Sequence, residues 1–481
     1  MKRILFYLFA LVYSCQLMAQ SFILNNADGI PLKYDIINTN PRQVRLTGRG
    51  AIPAGFTGTD LNLPGFISYG GNSYQVVEIG EQAFFTENKF TNLHISEGVL
   101  RLKAHAIARS HCVSITLPSS LEKIEDTEMF SSETLKYVYG LENTKITELP
   151  GNTFASCYVL EYVKLPSQLQ VIGDYCFIQT NLTALEIPAT VKKIGIWAFM
   201  MSKIAEFDIP ASVEEIGWGA FTSNNVSKIR MHRAIPPTAS GQLFYNLTNL
   251  SVFVPTEATL TYETTAHWAD LKGVYREEVK IGTSGYATLY LETENFEVPT
   301  GCEAFVIESI VPSATPGERK KANAKKFVAG SIIPAGQAVI LKGTAGQTYE
   351  YKANVSGTPV TIAQNLLVGT ATEQTLNAPG YKYFLFGSGP NGQGFYRQTG
   401  HDISSIHLKA HKAGLRIPAS VAGSAKAFII DFDEAEDGSV TAIRDIETDN
   451  HRPDIIYNLQ GQRVTHPEKG IYIVNGKKKV Y

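Results

Sequence analysis

Three consecutive copies of one phrase decide the fold: LEYVKLPSQLQVIGDYCF (160–177), LTALEIPATVKKIGIWAF (182–199) and IAEFDIPASVEEIGWGAF (204–221). Leu165, Ile187 and Ile209 are 22 residues apart, and each is followed by proline. A fixed period of roughly 20 to 29 residues, with leucine-like residues at fixed offsets, is typical of a solenoid whose coils stack on one another. We therefore expect a mainly β fold in this part of the chain.

The period continues on both sides of these copies. An isoleucine or leucine recurs at spacings of 22 to 25 residues, at Ile79, Leu102, Ile124, Leu149, Ile172, Ile194 and Ile216. The spacing predicts a leucine-rich solenoid with its C-terminal cap over residues 76–276, where the longer copies bulge out as loops. Residues 20–75 are predicted to form an N-terminal β cap, because a first coil without a cap would expose apolar surface.

Alternation within each coil predicts which side chains face inward. In Ala184-Leu185-Glu186-Ile187, a strand would place Leu185 and Ile187 inside and the other two outside. The Ala-Phe pair that ends a copy, such as Ala198-Phe199, is expected to make a tight helical turn with its neighbours. Its phenylalanines are predicted to stack as an internal ladder, formed by Phe84, Phe130, Phe154, Phe177, Phe199 and Phe221.

The phrases LPSSLEKI (117–124), IPASVEEIGWGAF (209–221) and LSVFVPTEATLTYETTAHWADLK (250–272) resemble BspA-type leucine-rich repeat proteins of Bacteroidetes. The resemblance covers about residues 60–275. It implies an exported or cell-surface protein, and adhesin-like binding of host matrix proteins or other bacteria.

Beyond the repeats the composition changes to short β patterns separated by Gly/Pro turns. A β-sandwich-like domain is predicted over 277–434, with strands at 281–296, 304–310, 338–342, 381–386 and 427–432 and a solvated loop at 314–326. GYATLYL (285–291) and IPAGQAVILKG (333–343) resemble an uncharacterised β-rich module of exported Bacteroidetes proteins. An acidic linker is expected at 435–454. The tail 455–481 is predicted to form a short β element, and it is similar to the end of type IX secretion sorting domains, which makes it a candidate sorting signal.

The N-terminus has the features of a signal peptide. Lys2-Arg3 precedes a short apolar run, and Ala19 supplies a small residue at the cleavage point, so residues 1–19 are expected to be removed on export. A lipidated Cys15 is the alternative. Cys112, Cys157, Cys176 and Cys302 have no metal-ligand spacing and are predicted to be small buried hydrophobes.

Enzyme signatures are weak throughout. The G-x-G-x-x-G at 387–392 has a Pro-Asn turn where a dinucleotide site would need a helix. His407 and His411 lie in an alternating, strand-like context without the glutamate of a zinc peptidase. The formal net charge of −2 provides no field for nucleic acid. We expect no enzyme activity, cofactor, metal, nucleic-acid partner or transmembrane span, and a monomer.

Two functions from different classes remain. The first is an exported interaction protein that binds an extracellular protein or glycan through the outward face of the solenoid sheet. The second is an envelope protein that uses the solenoid as a spacer, and a hydrolase within 277–434 ranks below both. If the face binds a partner, the expected residues are its tyrosines and charged side chains. They are Tyr137, Tyr139, Tyr162, Lys164, Glu186, Glu206 and Asp208.

Overall fold

The structure, a computed structural model, describes residues 20–125, 128–222, 225–245, 249–311, 320–389, 392–399, 402–423, 427–430, 432 and 441–445, with four short strands between 456 and 480. These residues form two compact units that divide after Glu277. Among them, no helix has the length and hydropathy needed to cross a bilayer. The expected signal peptide and Cys15 lie outside the described residues.

The first unit begins with an antiparallel β cap. Its strands are β1 (Ser21–Asn25), β2 (Pro31–Thr39), β3 (Arg42–Arg49), β4 (Asp60–Leu63), β5 (Phe66–Tyr69) and β6 (Asn72–Ile79). β5 and β6 form a hairpin through the Gly70-Gly71 turn. β3 then pairs in parallel with β6, so the cap continues directly into the coils.

Each coil contributes to two parallel ladders. The first ladder contains β4, β7 (Asn92–Ile95), β9 (Ser114–Thr116), β11 (Tyr137–Tyr139), β15 (Glu206–Ile209), β17 (Lys228–Met231), β19 (Ser251–Phe253) and β20 (Tyr275–Lys280). The second ladder contains β6, β8 (Arg101–Leu102), β10 (Lys123–Ile124), β12 (Glu148–Leu149), β13 (Val171–Ile172), β14 (Lys193–Ile194), β16 (Glu215–Ile216) and β18 (Thr238–Ala239). One continuous core lies between the ladders, which confirms the predicted solenoid.

In each coil, the residues that follow the strand of the second ladder form a run of turns and not the expected tight helical turn. Tyr175 and Trp197 have left-handed φ angles of 58° and 54°. This conformation turns alternate N–H groups toward the next coil, and Phe177 N donates to Ala198 O at 2.8 Å. These bonds connect successive coils outside the two strand ladders. A Cβ at Gly173 would lie 2.6 Å from Gly151 N, which explains glycine in the I-G phrase.

The predicted phenylalanine ladder is confirmed from Phe130 onward and is longer than expected. Successive ring centroids from Phe130 through Phe154, Phe177, Phe199 and Phe221 to Phe244 lie 5.1–5.9 Å apart. Phe84 is buried but separate, because the intervening coil places Ile107 in the stack. The longer copy after Ile124 carries a 3-10 turn at Leu141–Asn143, and the core continues past it as predicted.

A short helix and one tryptophan close the C-terminal end of the coils. Helix α1 comprises Thr259–Thr264, and a 3-10 turn at Ala269–Leu271 follows. Trp268 is fully buried, donates from Nε1 to Pro237 O at 2.8 Å, and packs 5.1 Å from Tyr262. These contacts cover the last apolar layer.

The second unit contains a ten-stranded sheet. Its order is β21 (Tyr286–Leu289), β26 (Val339–Lys342), β23 (Glu303–Val311), β24 (Lys320–Phe327), β35 (Thr441–Asp445), β34 (Ala427–Ile430), β31 (Gly392–Tyr396), β30 (Tyr381–Gly389), β33 (Lys412–Pro418) and β28 (Leu367–Thr370). The smaller elements are β22 (Phe296–Glu297), β25 (Ile332–Ile333), β27 (Thr348–Tyr351), β29 (Gln374–Asn377), β32 (Ser405–Leu408) and α2 (Ala419–Ala422).

The ten-stranded sheet curls so that its two ends approach each other. Tyr290 N, just after β21, donates to His411 O at 3.2 Å, and Tyr286 contacts Phe386 at 5.8 Å. Phe305, Phe384 and other rings fill the interior. The unit is therefore partly sandwich-like, as a single sheet folded on itself.

Two predictions for this unit were wrong. Lys320–Phe327, which overlaps the expected loop 314–326, forms β24, because it pairs over its length with β23. Thr441–Asp445, within the expected linker 435–454, forms β35, which joins β24 to β34. Each strand pairs with the strand that precedes it in the chain, and β24 and β35, which are distant in sequence, also pair with each other. In the tail, β36 (Ile456–Tyr457), β37 (Arg463–Val464), β38 (Ile471–Val474) and β39 (Lys477–Val480) form the predicted short β element.

Candidate functional site

The outward face of the first ladder carries the expected site residues. The burial of β11, β15 and β17 alternates along each strand, with Val138, Phe207 and Ile229 inside. Tyr139, Lys164, Glu186, Glu206 and Asp208 are exposed, while Tyr137 and Tyr162 are half-buried. The predicted inward and outward assignment is confirmed.

The three tyrosines form one cluster. Tyr137 and Tyr139 stack with centroids 5.9 Å apart, and Tyr139 lies 5.5 Å from Tyr162 in the next coil. Parallel bridging of Tyr137 with Tyr162 aligns the two coils. We call Tyr137, Tyr139 and Tyr162 the tyrosine cluster.

Lys136 borders the tyrosine cluster. Its Nζ lies 5.3 Å from the Tyr137 centroid and 3.2 Å from Glu161 Oε1. The interaction with Tyr137, followed by that with Glu161, raises the pKa of Lys136. The ammonium group therefore stays charged beside the rings, where it also restrains Tyr137 through a cation–π contact.

The first ladder is interrupted beside this cluster. Residues 184–187 were predicted to form a strand, but the backbone of residues 183–187 forms no hydrogen bond to the coils before and after, within the described residues. Leu185 and Ile187 still point inward. The second ladder remains paired at the same coils, from β13 through β14 to β16. The coils thus separate on one side only.

The interruption leaves a depression of about 540 Å³, which we call the charged depression. Its floor includes Ala184, whose small side chain leaves the space open. Its charged rim is formed by Glu161, Lys164, Glu186, Glu206, Asp208, Lys228 and Arg230, and Tyr162 lines the edge next to the tyrosine cluster. Five of the seven expected residues line it, and Tyr137 and Tyr139 adjoin it. The volume falls within the usual range of ligand pockets, but the lining is more charged than is typical.

Charges across the depression are arranged by the ladder register. Glu206 lies opposite Lys228 and Asp208 opposite Arg230. Lys228 Nζ is 4.5 Å and Arg230 Cζ 5.1 Å from the centroid of the buried Phe253 ring. Asp208 also contacts His232. The ring holds both cations in place, so the depression has an acidic side and a basic side in fixed positions.

Other sequence candidates do not form a site. Gly387 and Gly389 lie on β30 and Gly392 on β31, with Gly389 paired to Gly392, and the predicted Pro390-Asn391 turn lies outside the described residues. His407 lies on β32, and its Nε2 is 3.0 Å from Glu373 Oε1. Within the described residues, no group of three or more His, Cys, Asp or Glu side chains could hold a metal ion. The four cysteines are free and buried.

Sequence reasoning missed a second group of surface aromatic residues, two of them exposed and two half-buried. Tyr175, Trp197, Trp218 and Tyr245 lie on the turns between strands, and we call them the aromatic turn row. Tyr175, Trp197 and Trp218 belong to the three copies quoted in the sequence analysis, where each follows the Ile-Gly pair by one or two residues. The signal was therefore present in the sequence, but their proximity depends on how the turns stack.

The repeat segment matches a known family model. Residues 72–179 and 128–251 match the BspA type leucine rich repeat region, in six copies. A comparison with curated proteins found no match.

Several solved structures are similar to this chain. A leucine-rich repeat protein from Bacteroides ovatus is 20% identical, with 49% of this chain and 72% of that chain covered and a TM-score of 0.31. The pneumococcal vaccine antigen PcpA is 17% identical, with 48% and 81% covered and a TM-score of 0.31. A leucine rich cell surface protein from Faecalibacterium prausnitzii is 17% identical, with 49% and 70% covered and a TM-score of 0.32.

Residues 72–251 hold most of both ladders and all of the stacked phenylalanines. They match the BspA type leucine-rich repeat, and the fold of the first unit is a leucine-rich-repeat solenoid.

Proposed function

We propose that this chain is an exported interaction protein that binds an extracellular protein through the tyrosine cluster and the charged depression. The observation that carries the proposal is their contiguity, since Tyr162 belongs to both. Exposed tyrosines supply large contact area at low entropic cost, and they are enriched at binding hot spots. Leucine-rich solenoids usually act as interaction modules without catalytic activity.

The charge distribution supports a protein partner with charges of both signs. The acidic and basic sides of the depression are separated along one face, so a complementary surface would dock in one orientation. Such steering raises the association rate and weakens as salt screens the charges. Removal of residues 1–19 on export is part of the proposal, as is a sorting role for the tail 455–481.

The test is binding of purified host matrix proteins and bacterial surface proteins to the immobilised mature chain. Tyr137, Tyr139 and Tyr162 are changed together to serine, and Tyr158→Ser, at a 49% exposed tyrosine outside the cluster, serves as control. The triple variant should lose at least tenfold in affinity, while the control binds like the parent.

Equal binding by the parent and a folded triple variant would contradict the proposed surface. A parent chain that binds no protein of either panel would favour the alternative role as a spacer. A second measurement distinguishes the contribution of the depression: the association rate should fall with rising salt in the parent, and less so when Lys228 and Arg230 are both changed to glutamine.

A further inference from the structure

The aromatic turn row is a line of four neighbouring rings on the first unit. Tyr175 lies 6.3 Å from Trp197, Trp197 lies 5.1 Å from Trp218, and Trp218 lies 6.0 Å from Tyr245. Trp218 Nε1 donates to the Tyr245 hydroxyl at 2.5 Å. Tyr175 and Trp218 are 38% and 39% exposed, and the other two rings are half-buried. The rings are thus held in place and remain accessible.

The backbone of the turn does not require aromatic residues at these positions. Tyr175 and Trp197 occupy the left-handed position of the turn, where other coils carry Gln82, His105, Glu128, Asn152 and Gly219. Residues of very different size and polarity therefore fit this position, and the turn can form without an aromatic ring.

Hydrogen-bonding groups lie beside the row. Asp174 is exposed, and its Oδ1 accepts a hydrogen bond from Ile196 N at 2.7 Å. Ser240 Oγ accepts from Trp218 N at 2.8 Å. The row therefore offers aromatic faces flanked by hydrogen-bonding groups, among them the carboxylate of Asp174. This differs from the charged depression, whose rim carries charges of both signs.

These features match the chemistry of a sugar chain. A pyranose ring presents C–H groups on its faces and hydroxyl groups around its edge. The C–H hydrogens carry partial positive charge, so they pack against the negative face of an aromatic ring, and the hydroxyls bond to amides and carboxylates at the side. The centroid spacings of 5.1–6.3 Å are comparable to the length of one sugar unit.

We propose that the aromatic turn row is a binding site for a neutral oligosaccharide chain, with one sugar unit to each ring. It is formed by residues other than those of the tyrosine cluster and the charged depression. The site therefore does not depend on the proposed protein partner, and the failure of either leaves the other intact.

Tryptophan fluorescence provides a direct test. The chain has three tryptophans, two of them in the row, and Trp268 is fully buried in the cap. The mature chain is titrated with neutral gluco-, manno-, xylo- and galacto-oligosaccharides of one to six units, and with heparin as a charged probe. One neutral series should change the emission saturably, with affinity that rises up to four units and is insensitive to salt.

Two variants locate the site by using residues from other coils. Tyr175→Asn gives position 175 the asparagine that the preceding coil has at the same turn position, Asn152. Trp218→Ile likewise gives position 218 the isoleucine that the preceding coil has there, Ile196. Because the coil already tolerates both residues there, the fold should be kept. Each variant should weaken binding about tenfold by calorimetry, which corresponds to the loss of one stacked ring. Phe66→Ser, at a 60% exposed ring of the N-terminal cap, should bind like the parent.

The proposal is overturned if no neutral series changes the emission of the parent chain. It is also overturned if only heparin binds and the binding disappears with salt, because that would indicate an anion surface. Unchanged affinity in both folded variants would place the sugar elsewhere. The parent titration needs no variant, so these outcomes do not depend on whether a variant folds.

Discussion

Phe199 is the residue whose removal tests the phenylalanine ladder most directly. Its side chain is fully buried, and its ring lies 5.6 Å from Phe177, 5.9 Å from Phe221 and 5.0 Å from Phe207. Phe199 N also donates to Ala220 O at 2.9 Å, which holds the turn against the next coil. The neighbouring rings are held by similar bonds, so they have little freedom to move into a cavity.

Phe199→Ala should lower the free energy of unfolding by about 3–5 kcal/mol, toward the upper end because the site resists collapse. For a unit of this size, the melting temperature falls by roughly 2–4 °C for each kcal/mol, so a decrease of more than about 6 °C is expected. Glu186→Ala is the matched control. Its exposed side chain should contribute within about 0.5 kcal/mol.

Urea unfolding followed by tryptophan fluorescence measures this effect in the whole mature chain. Trp197, Trp218 and Trp268 all belong to the first unit, so the emission reports its unfolding without contribution from the second. The midpoint should fall strongly for Phe199→Ala and hardly for Glu186→Ala. Equal shifts in the two variants would refute the argument that the stacked rings stabilise the coils.

Three further predictions concern buried charge, buried thiols and processing. Glu78 is 3% exposed, and its carboxylate is paired with Arg45 at 2.5 Å and Arg101 at 3.2 Å. Glu78→Ala should lower the free energy of unfolding by about 2 kcal/mol, and the loss stays this small because both arginines are partly exposed. A urea midpoint equal to that of the parent would contradict this. Burial raises the pKa of Cys112 to about 11 and of Cys157 to about 12 from an ordinary value near 9, so iodoacetamide should label them slowly at pH 8 unless urea is present. Because the folded state holds these protons more tightly, the thiols' contribution to the free energy of unfolding is complete below pH 9 and is lost as the pH rises through 11 to 12. A urea midpoint that rises in alkali would contradict this sign. Mass spectrometry of the exported protein should find an N-terminus near Gln20; a chain that keeps Met1 would exclude cleavage, and a lipidated Cys15 would support the alternative anchor.

The solenoid was predictable because its signals are local and repeated. A 22-residue period and the alternation of apolar residues depend only on neighbouring positions, and each copy supports the others. The inward residues Leu185, Ile187 and Phe207 were therefore placed correctly. Phe84 was expected in the ring stack and is not in it, because the next coil carries Ile107 at that position.

The second unit was predictable only in part. Strands with strong apolar patterns, such as Glu303–Val311 and Val339–Lys342, agree with the prediction. Lys320–Phe327 has the composition of a solvated loop, KKANAKKF, and becomes a strand because β23 and β35 satisfy its backbone. Such pairing overrides local propensity and cannot be inferred from the segment alone.

By itself the sequence determined the period, the inward and outward faces, and the identity of the residues on the first ladder. The tertiary structure alone decided that the ladder is interrupted at 183–187, that a charged depression is formed there, and that four aromatic residues from different coils meet in one row. The physical reason is distance along the chain. The direction of a side chain follows from its own backbone, whereas the separation of two coils and the meeting of their turns depend on contacts about 22 residues apart.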